Sequence, residues 1–534
     1  MSSKSCQGPE GRCGCIISGM RSGRGCEEYM FASVYGATTL GLVGNIITVE
    51  TDIANGLPGF EIVGMAATSV KESKERVRSA MKNSGYEFPM RRITMNLAPA
   101  ELKKDSTGLD VAIAVGIMVS SGQIRAEKTA GCLFIGELSL DGHIRPVKGL
   151  LSMILKGASA GFHTVFISEE NAAEALLCNK LTVYAVHTLR EVIQHLNDIK
   201  RLEEAVPPQD QQEIRPVYTI DFSEVQGQFL AKRALEIAAA GGHNVLMIGP
   251  PGAGKTMLAK RLPTILPPMN TEESLEVTKI YSVAGLFHQD HMITERPFRS
   301  PHHTISVNGL IGGGTIPRPG EVTLAHNGVL FLDELPEFPR SVLEVMRQPL
   351  EDGVVHIARV HASLTYPAQY MLVAAMNPCP CGNYGSDQLC TCTPGEIRRY
   401  VRKISGPLLD RIDLHVRVER PLYRELVSDE AQEGSAVIRS RVIAARKRQI
   451  ERLRPFGMFC NAHMGHRAIR ETCIVTKEAR KLLQEVFDKF KLSARSYDRI
   501  IKVSRTIADL QGADEIGQEH VAEALSYRNK LQRI

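Results

Sequence analysis

From Met30 onward the chain alternates between two apolar periods. "MFASVYGATTLGL", "NIITVETDI" and "RITMNLAP" have the strand pattern, whereas "VKESKERVRSAMKNSG" and "LDVAIAVGIMVSSG" have the helical one. This alternation predicts an α/β domain over residues 30–200. Residues 201–216, "RLEEAVPPQDQQEIRP", are polar with adjacent prolines and predict a linker. A second α/β region is expected over 217–418 and a helical region over 419–534, where "KEARKLLQEVFDKF", "RIIKVSRTIADL" and "EHVAEALSYRNKL" have i, i+3/i+4 apolar spacing. Residues 1–29 are rich in Gly, Ser, Cys and Arg without any apolar period, and disorder is expected there.

Composition narrows the class. At 534 residues the chain exceeds what one core holds, and its 43% apolar and 23% charged content is ordinary for a globular protein. No run of 18 apolar residues exists, so no membrane span is expected, and "CIISGM" is too short for a signal-peptide core. The expected compartment is the cytoplasm, where thiols stay reduced. A net charge of +5 permits an acidic partner such as DNA without requiring one.

The chemistry is concentrated in the second α/β region. "NVLMIGPPGAGKTMLAKRL" sets a short buried strand, a Gly/Pro loop and a helix start in the order of a phosphate-binding loop. Gly249, Pro250, Pro251, Gly252, Ala253 and Gly254 would turn backbone N–H groups onto phosphate oxygens of ATP. Lys255 would reach the β/γ-phosphates and Thr256 would bind Mg²⁺. "NGVLFLDELPEF" is a buried strand ending in Asp333, a second Mg²⁺ ligand, and Glu334, which can polarise the attacking water. A third strand, "YMLVAAMN", ends in Asn377, whose amide could hold that water or sense the γ-phosphate. Arg411, Arg495 and Arg499 are candidates for transition-state guanidiniums, with surface salt bridges as the alternative.

At this point a family resemblance emerges. "RPFRSPHHTIS", "PRPGEVTLAHNGVLFLDELPEF", "RQPLEDG", "VAAMNPCPCG" and "SGPLLDRIDLHV" closely resemble the magnesium-chelatase-like AAA+ ATPases of the bacterial ComM/YifB group, over residues 30–534. The resemblance implies a RecA-like AAA+ core, a helical lid and a homo-hexameric ring with ATP between subunits. It assigns Asn377 as sensor 1, Arg411 as a finger acting on the neighbouring subunit, and Arg495 as sensor 2. "VVHIARVHASLTYPA" resembles the pre-sensor-1 hairpin and "VNGLIGGGTIPRPG" the helix-2 insert, both implied to face a central channel. The N-terminal region resembles a Lon-protease-like domain whose dyad is missing: Gly108 stands at the serine position and Leu151 at the lysine position, with Ser106 and Lys148 out of register.

The implied activity is a DNA-translocating helicase that drives branch migration on forked or junction DNA during natural transformation. The alternative is a protein-remodelling or metal-insertion motor. A chelatase motor would need partners bearing an integrin-type metal-binding domain, which this chain lacks. A non-catalytic scaffold is countered by the intact Glu334.

"MNPCPCGNYGSDQLCTC" carries Cys379, Cys381, Cys390 and Cys392 as two Cys-x-Cys pairs. Disulfides disagree with the compartment, and four separate buried thiols disagree with so polar a segment. A structural tetrahedral Zn²⁺ site fits better, because the eight residues between the pairs let the second fold back on the first. His302 and His303 look like a metal pair, but neighbours on a strand point to opposite faces, so a structural or channel-lining role is expected. Arg441, Arg448 and Arg452 share one face of a predicted helix, which would either meet phosphates or lie in solvent.

Overall fold

The computed structural model describes residues 30–64, 68–101, 107–207, 218–314, 317–359, 362–421, 423, 432–490 and 493–528. The disorder expected for 1–29 and the out-of-register Ser106 lie outside them. Two main sheets organise the molecule. The first has seven strands: β1 (Met30–Leu40), β2 (Val43–Ala54), β3 (Gly59–Val63), β4 (Arg92–Ala98), β5 (Cys132–Phe134), β6 (Thr164–Ser168) and β7 (Thr182–Val186). Their order is β3-β4-β2-β1-β5-β6-β7, antiparallel for β4-β2-β1 and parallel elsewhere. The helices Thr68–Asn83, Asp110–Ser120 and Leu150–Ser159 cover it. Residues 201–207 stay against this sheet: the Ala205 N–H donates to Val183 O at 2.9 Å and the Leu202 N–H to His195 Nδ1 at 3.0 Å.

The second sheet is wholly parallel, with strands β8 (Val245–Ile248), β9 (Phe298–Arg299), β10 (Val329–Leu332), β13 (Met371–Met376) and β14 (Leu414–Arg417). Between β10 and β13 lies an antiparallel hairpin, β11 (Val354–Arg359) and β12 (Ala362–Pro367). The strand order β9-β10-β13-β8-β14 leaves β8 central. Every residue of β8, β10 and β13 is buried, as expected of parallel strands covered on both faces. Alternation then divides them between two cores. Val245, Met247, Phe331 and Val373 face a core shared with Ile438, Val442, Ile500, Ile507 and Val521 of the C-terminal helices. Leu246, Ile248, Leu330 and Leu372 face another core, which includes Ile357, Leu364 and Tyr366 of the hairpin.

A buried polar set ties the C-terminal helices to this sheet. His243 Nδ1 lies 3.1 Å from Asp413 Oδ2 and its Nε2 lies 2.8 Å from Thr506 Oγ1. Burial alone would raise the Asp413 carboxyl, but the His243 bond and the Arg499 and Lys502 charges hold it at about 2. The two sheets also meet. Buried Glu174 accepts from the Ser282 hydroxyl on the helix Thr271–Ala284 and from the Leu151 N–H at 2.8 Å, and the Gly149 N–H donates to Ser282 O at 3.1 Å. No helix among the described residues is long and apolar enough to cross a membrane.

Candidate functional site

The nucleotide-site candidates converge at the carboxyl ends of β8, β10 and β13. The chain leaves β8 at Gly249, whose hydrogen faces the Val418 carbonyl so closely that a Cβ there would lie 2.0 Å from the oxygen. Gly252 and Gly254 have φ of +75° and +85°, a region L side chains rarely enter, and the helix Lys255–Arg261 begins directly afterwards. Pro250, Pro251 and Ala253 complete the loop. Lys255 is buried, and its ammonium donates to Gly249 O at 2.7 Å, Pro250 O at 3.0 Å and Asn377 Oδ1 at 3.2 Å. Burial pushes its pKa down, against the opposing pull of the Asp333 and Glu334 charges.

The Thr256 hydroxyl donates to Asp333 Oδ2 at 2.7 Å, so a hydroxyl and a carboxylate stand where hard oxygen ligands would be needed. That donor set fits Mg²⁺, which favours oxygen and keeps several waters. Glu334 follows with φ +52° and ψ +47°, an uncommon conformation for a side-chain-bearing residue, and its carboxylate is 56% exposed. It therefore reaches open space beside the loop.

Sequence reasoning missed the neighbour of Glu334. His302 and His303 are not on a strand; they sit in a turn, and their rings lie 4.1 Å apart, not on opposite faces. His303 Nδ1 lies 3.5 Å from Glu334 Oε2. The strand reading failed because β9 ends at Arg299 and Pro301 turns the chain. Pro301, directly before the two histidines, was the available signal.

Arg411 and Arg495 gather elsewhere. Arg411 is nearly buried, pairs with Glu351 and donates to Pro407 O at 2.6 Å. The Glu351 carboxyl is held low first by that Arg411 bond and, through charge, also by Arg495. Arg499 pairs with Asp413 at 3.6 Å. Among the described residues, no hydrogen bond or ion pair joins Arg411 or Arg495 to Lys255, Thr256, Asp333 or Glu334. Glu351 belongs to the "RQPLEDG" stretch, so its place in the pattern was visible but its partners were not.

The three arginines on one face of the basic helix Ser435–Leu453 are each paired with an acid. Arg441 pairs with Glu236 at 2.6 Å and with Glu433, Arg448 with Asp514 at 3.3 Å, and Arg452 with Asp509 at 2.7 Å. Its charge is directed to acids on other segments. Arg318 is exposed in a two-residue strand paired with Gly313, on the insert before β10. Arg359 ends β11, and its side chain, with His361, lies outside the described residues.

In the first sheet the two dyad positions hold no chemistry. Gly108 and Leu151 are buried, the Gly108 carbonyl accepts from the Gly136 N–H at 2.9 Å, and Lys148 is exposed. The four cysteines, by contrast, come together, with all four sulfurs within 4.8 Å of one another.

Comparison with known proteins agrees with this layout. Residues 221–426 match the family described as magnesium chelatase, subunit ChlI; residues 432–528 match its C-terminal part, and residues 49–171 match subunit ChlI of Mg-chelatase. The chain is 44% identical to the uncharacterized protein YifB of Salmonella typhimurium, covering 93% of this chain and 97% of that protein. It is 43% identical to the competence protein ComM of Haemophilus influenzae, covering 94% and 98%. A 144-residue stretch is 28% identical to the Lon protease of Mycolicibacterium smegmatis, covering 26% of this chain and 18% of that one. With a Lon-like sheet, a parallel-sheet ATPase core carrying an assembled phosphate loop, and a helical C-terminal region, the chain belongs to the magnesium-chelatase-like AAA+ ATPases of the ComM/YifB family.

Proposed function

We propose that this protein is a ring-forming motor, a homo-hexamer, that couples ATP hydrolysis to translocation along DNA, acting as a branch-migration helicase on forked or four-way junctions in the cytoplasm. One observation carries the reading: a complete phosphate loop, Asp333, Glu334 and Asn377 at one sheet end, in a chain 43% identical over 94% of its length to a competence protein. In this scheme the loop N–H groups and Lys255 bind the phosphates. Thr256 and Asp333 would hold Mg²⁺, which when bound would neutralise phosphate charge. Glu334 takes the proton of the attacking water, and Asn377 orients that water.

Ring assembly is supported by Arg411 and Arg495 having, among the described residues, no hydrogen bond or ion pair to Lys255, Thr256, Asp333 or Glu334 of their own chain. Arg495 is exposed and Arg411 is held by Glu351; in this reading they serve a neighbour's γ-phosphate, where a guanidinium stabilises developing charge, once Arg411 exchanges Glu351 for phosphate. Zn²⁺ is assigned to Cys379, Cys381, Cys390 and Cys392.

The substrate is tested with forked and four-way junction DNA in the presence of ATP and Mg²⁺. DNA-stimulated hydrolysis and strand separation are expected. Arg318→Ala with Arg359→Ala should weaken binding equally across sequences and flatten its salt dependence. If junctions neither unwind nor stimulate hydrolysis, the DNA reading fails and a protein-remodelling or chelatase-type motor replaces it.

A further inference from the structure

The four-cysteine knuckle lies directly against the phosphate loop, which nothing in its spacing announces. Cys379 is two residues beyond Asn377, the amide bonded to Lys255. Gly382, between the two cysteine pairs, is buried with φ +86°, and a Cβ there would lie 2.5 Å from Cδ and 2.8 Å from Cγ of Pro251. Its bare α-carbon is therefore pressed on the proline ring in the middle of the loop. From the other side, Arg420 Nε donates to Pro251 O at 3.3 Å. The far part of the knuckle is also anchored: Arg417, at the end of β14 and paired in register with Ile248 of β8, donates to Gly385 O.

The sulfur positions suit one ion. Tetrahedral zinc with Zn–S bonds of about 2.3 Å sets sulfurs about 3.8 Å apart. Here Cys379 lies 3.3 Å from Cys381 and 3.7 Å from Cys390, and Cys381 lies 3.6 Å from Cys390. The backbone supplies donors to the sulfurs, from the Tyr384 N–H to Cys379 Sγ at 3.3 Å and from the Cys381 N–H to Cys392 Sγ at 3.4 Å. Such outer bonds fix thiolate ligands in place.

We propose that the metal knuckle is a buttress of the phosphate loop: occupancy of the four-thiolate site holds Gly382 against Pro251 and Asn377 against Lys255, and so sets nucleotide affinity. This rests on the zinc reading of the cysteines. The physical basis is rigidity. A 14-residue segment, Cys379–Cys392, with two glycines, one proline and one serine has little apolar material to order itself, and a central ion replaces the missing core. With the knuckle ordered, the loop is preorganised for phosphate; without it, each binding event must order both.

Three measurements on the full-length protein separate the two claims. Metal analysis of freshly purified, reduced protein should give about one zinc per chain, and cobalt-substituted protein should have the absorption of a tetrahedral tetrathiolate site. Removing the metal by chelation, or with Cys390→Ser and Cys392→Ser, should weaken ADP binding about tenfold or more, with affinity restored to the chelated protein by added zinc. Gly382→Ala should keep its zinc yet weaken ADP by a similar factor, because its methyl group displaces Pro251. Finding no metal overturns both the zinc reading and the buttress. Finding one zinc, with wild-type ADP affinity in both the metal-free protein and Gly382→Ala, overturns the buttress and leaves the zinc reading intact.

Discussion

Two turns at the ends of sheets, one in each half of the molecule, differ in what they offer a ligand. Before the helix Asp110–Ser120 the first sheet's turn holds Gly108, whose carbonyl bonds Gly136, while buried Asp110 accepts from Arg76 at 2.8 Å and from the Leu138 N–H at 3.2 Å. Before the helix Lys255–Arg261 the second sheet's turn carries two left-handed glycines and a buried cation beside two carboxylates. Among the described residues of the first turn, Gly108 and Asp110 bond to the protein's own atoms. The second leaves Glu334 exposed and Thr256 facing Asp333. The contrast shows that a scaffold depends on its buried strands, whereas chemistry depends on a few unspent polar atoms.

The sharpest way to break this comparison is to exchange activity between the halves. Lys255→Ala should abolish nucleotide binding, and Glu334→Gln should bind ATP yet hydrolyse it on the order of 100-fold more slowly or worse. Lys148→Ala should change ATP turnover by less than about twofold, the scale of an exposed substitution with no contact to the site. No peptidase activity should accompany the wild-type protein. Cleavage of unstructured substrates that vanishes in Ser106→Ala would overturn the contrast at once.

A smaller effect is expected where the halves touch. Glu174→Ala strands the Leu151 N–H and the Ser282 hydroxyl, both bonded to that carboxylate. Unpaired buried donors cost about 1–3 kcal/mol each, so a loss of roughly 2–6 kcal/mol in urea unfolding is expected. An unchanged midpoint would mean the first sheet does not depend on the second.

The smallest effect is a pH slope. Burial, followed by the Arg528 charge, pushes the His415 imidazole on β14 down to about 4. Unfolded histidine titrates near 6.5, so between those values the unfolded chain binds a proton that the native one does not. Stability therefore falls as pH drops from about 6.5 toward 4, by up to roughly 3 kcal/mol from this group. A His415→Phe variant should have a flatter melting-temperature profile over that range, and identical profiles would remove His415 as the cause.

Much of this was legible because it is local. "GPPGAGKT" encodes its own turn, and "NGVLFLDE" and "YMLVAAMN" read as buried strands with polar ends since parallel strands bury both faces. What escaped was pairing between distant segments. Arg441, Arg448 and Arg452 look like a cationic stripe until Glu236, Asp514 and Asp509 are brought to them by the fold. Likewise His303 reached Glu334 through a proline turn, and Gly382 reached Pro251 across more than a hundred residues. Spacing encodes periodicity along an element; it does not encode which element lies opposite.

The bonds of Lys255 have a consequence for how it meets a ligand. Its ammonium donates to Gly249 O, Pro250 O and Asn377 Oδ1, so acceptors at the ends of β8 and β13 hold the cation in one position. A lysine side chain loses about 1.5–2 kcal/mol of rotamer entropy when it is ordered, and here folding rather than phosphate binding bears that cost. The cation is already in place when a phosphate arrives.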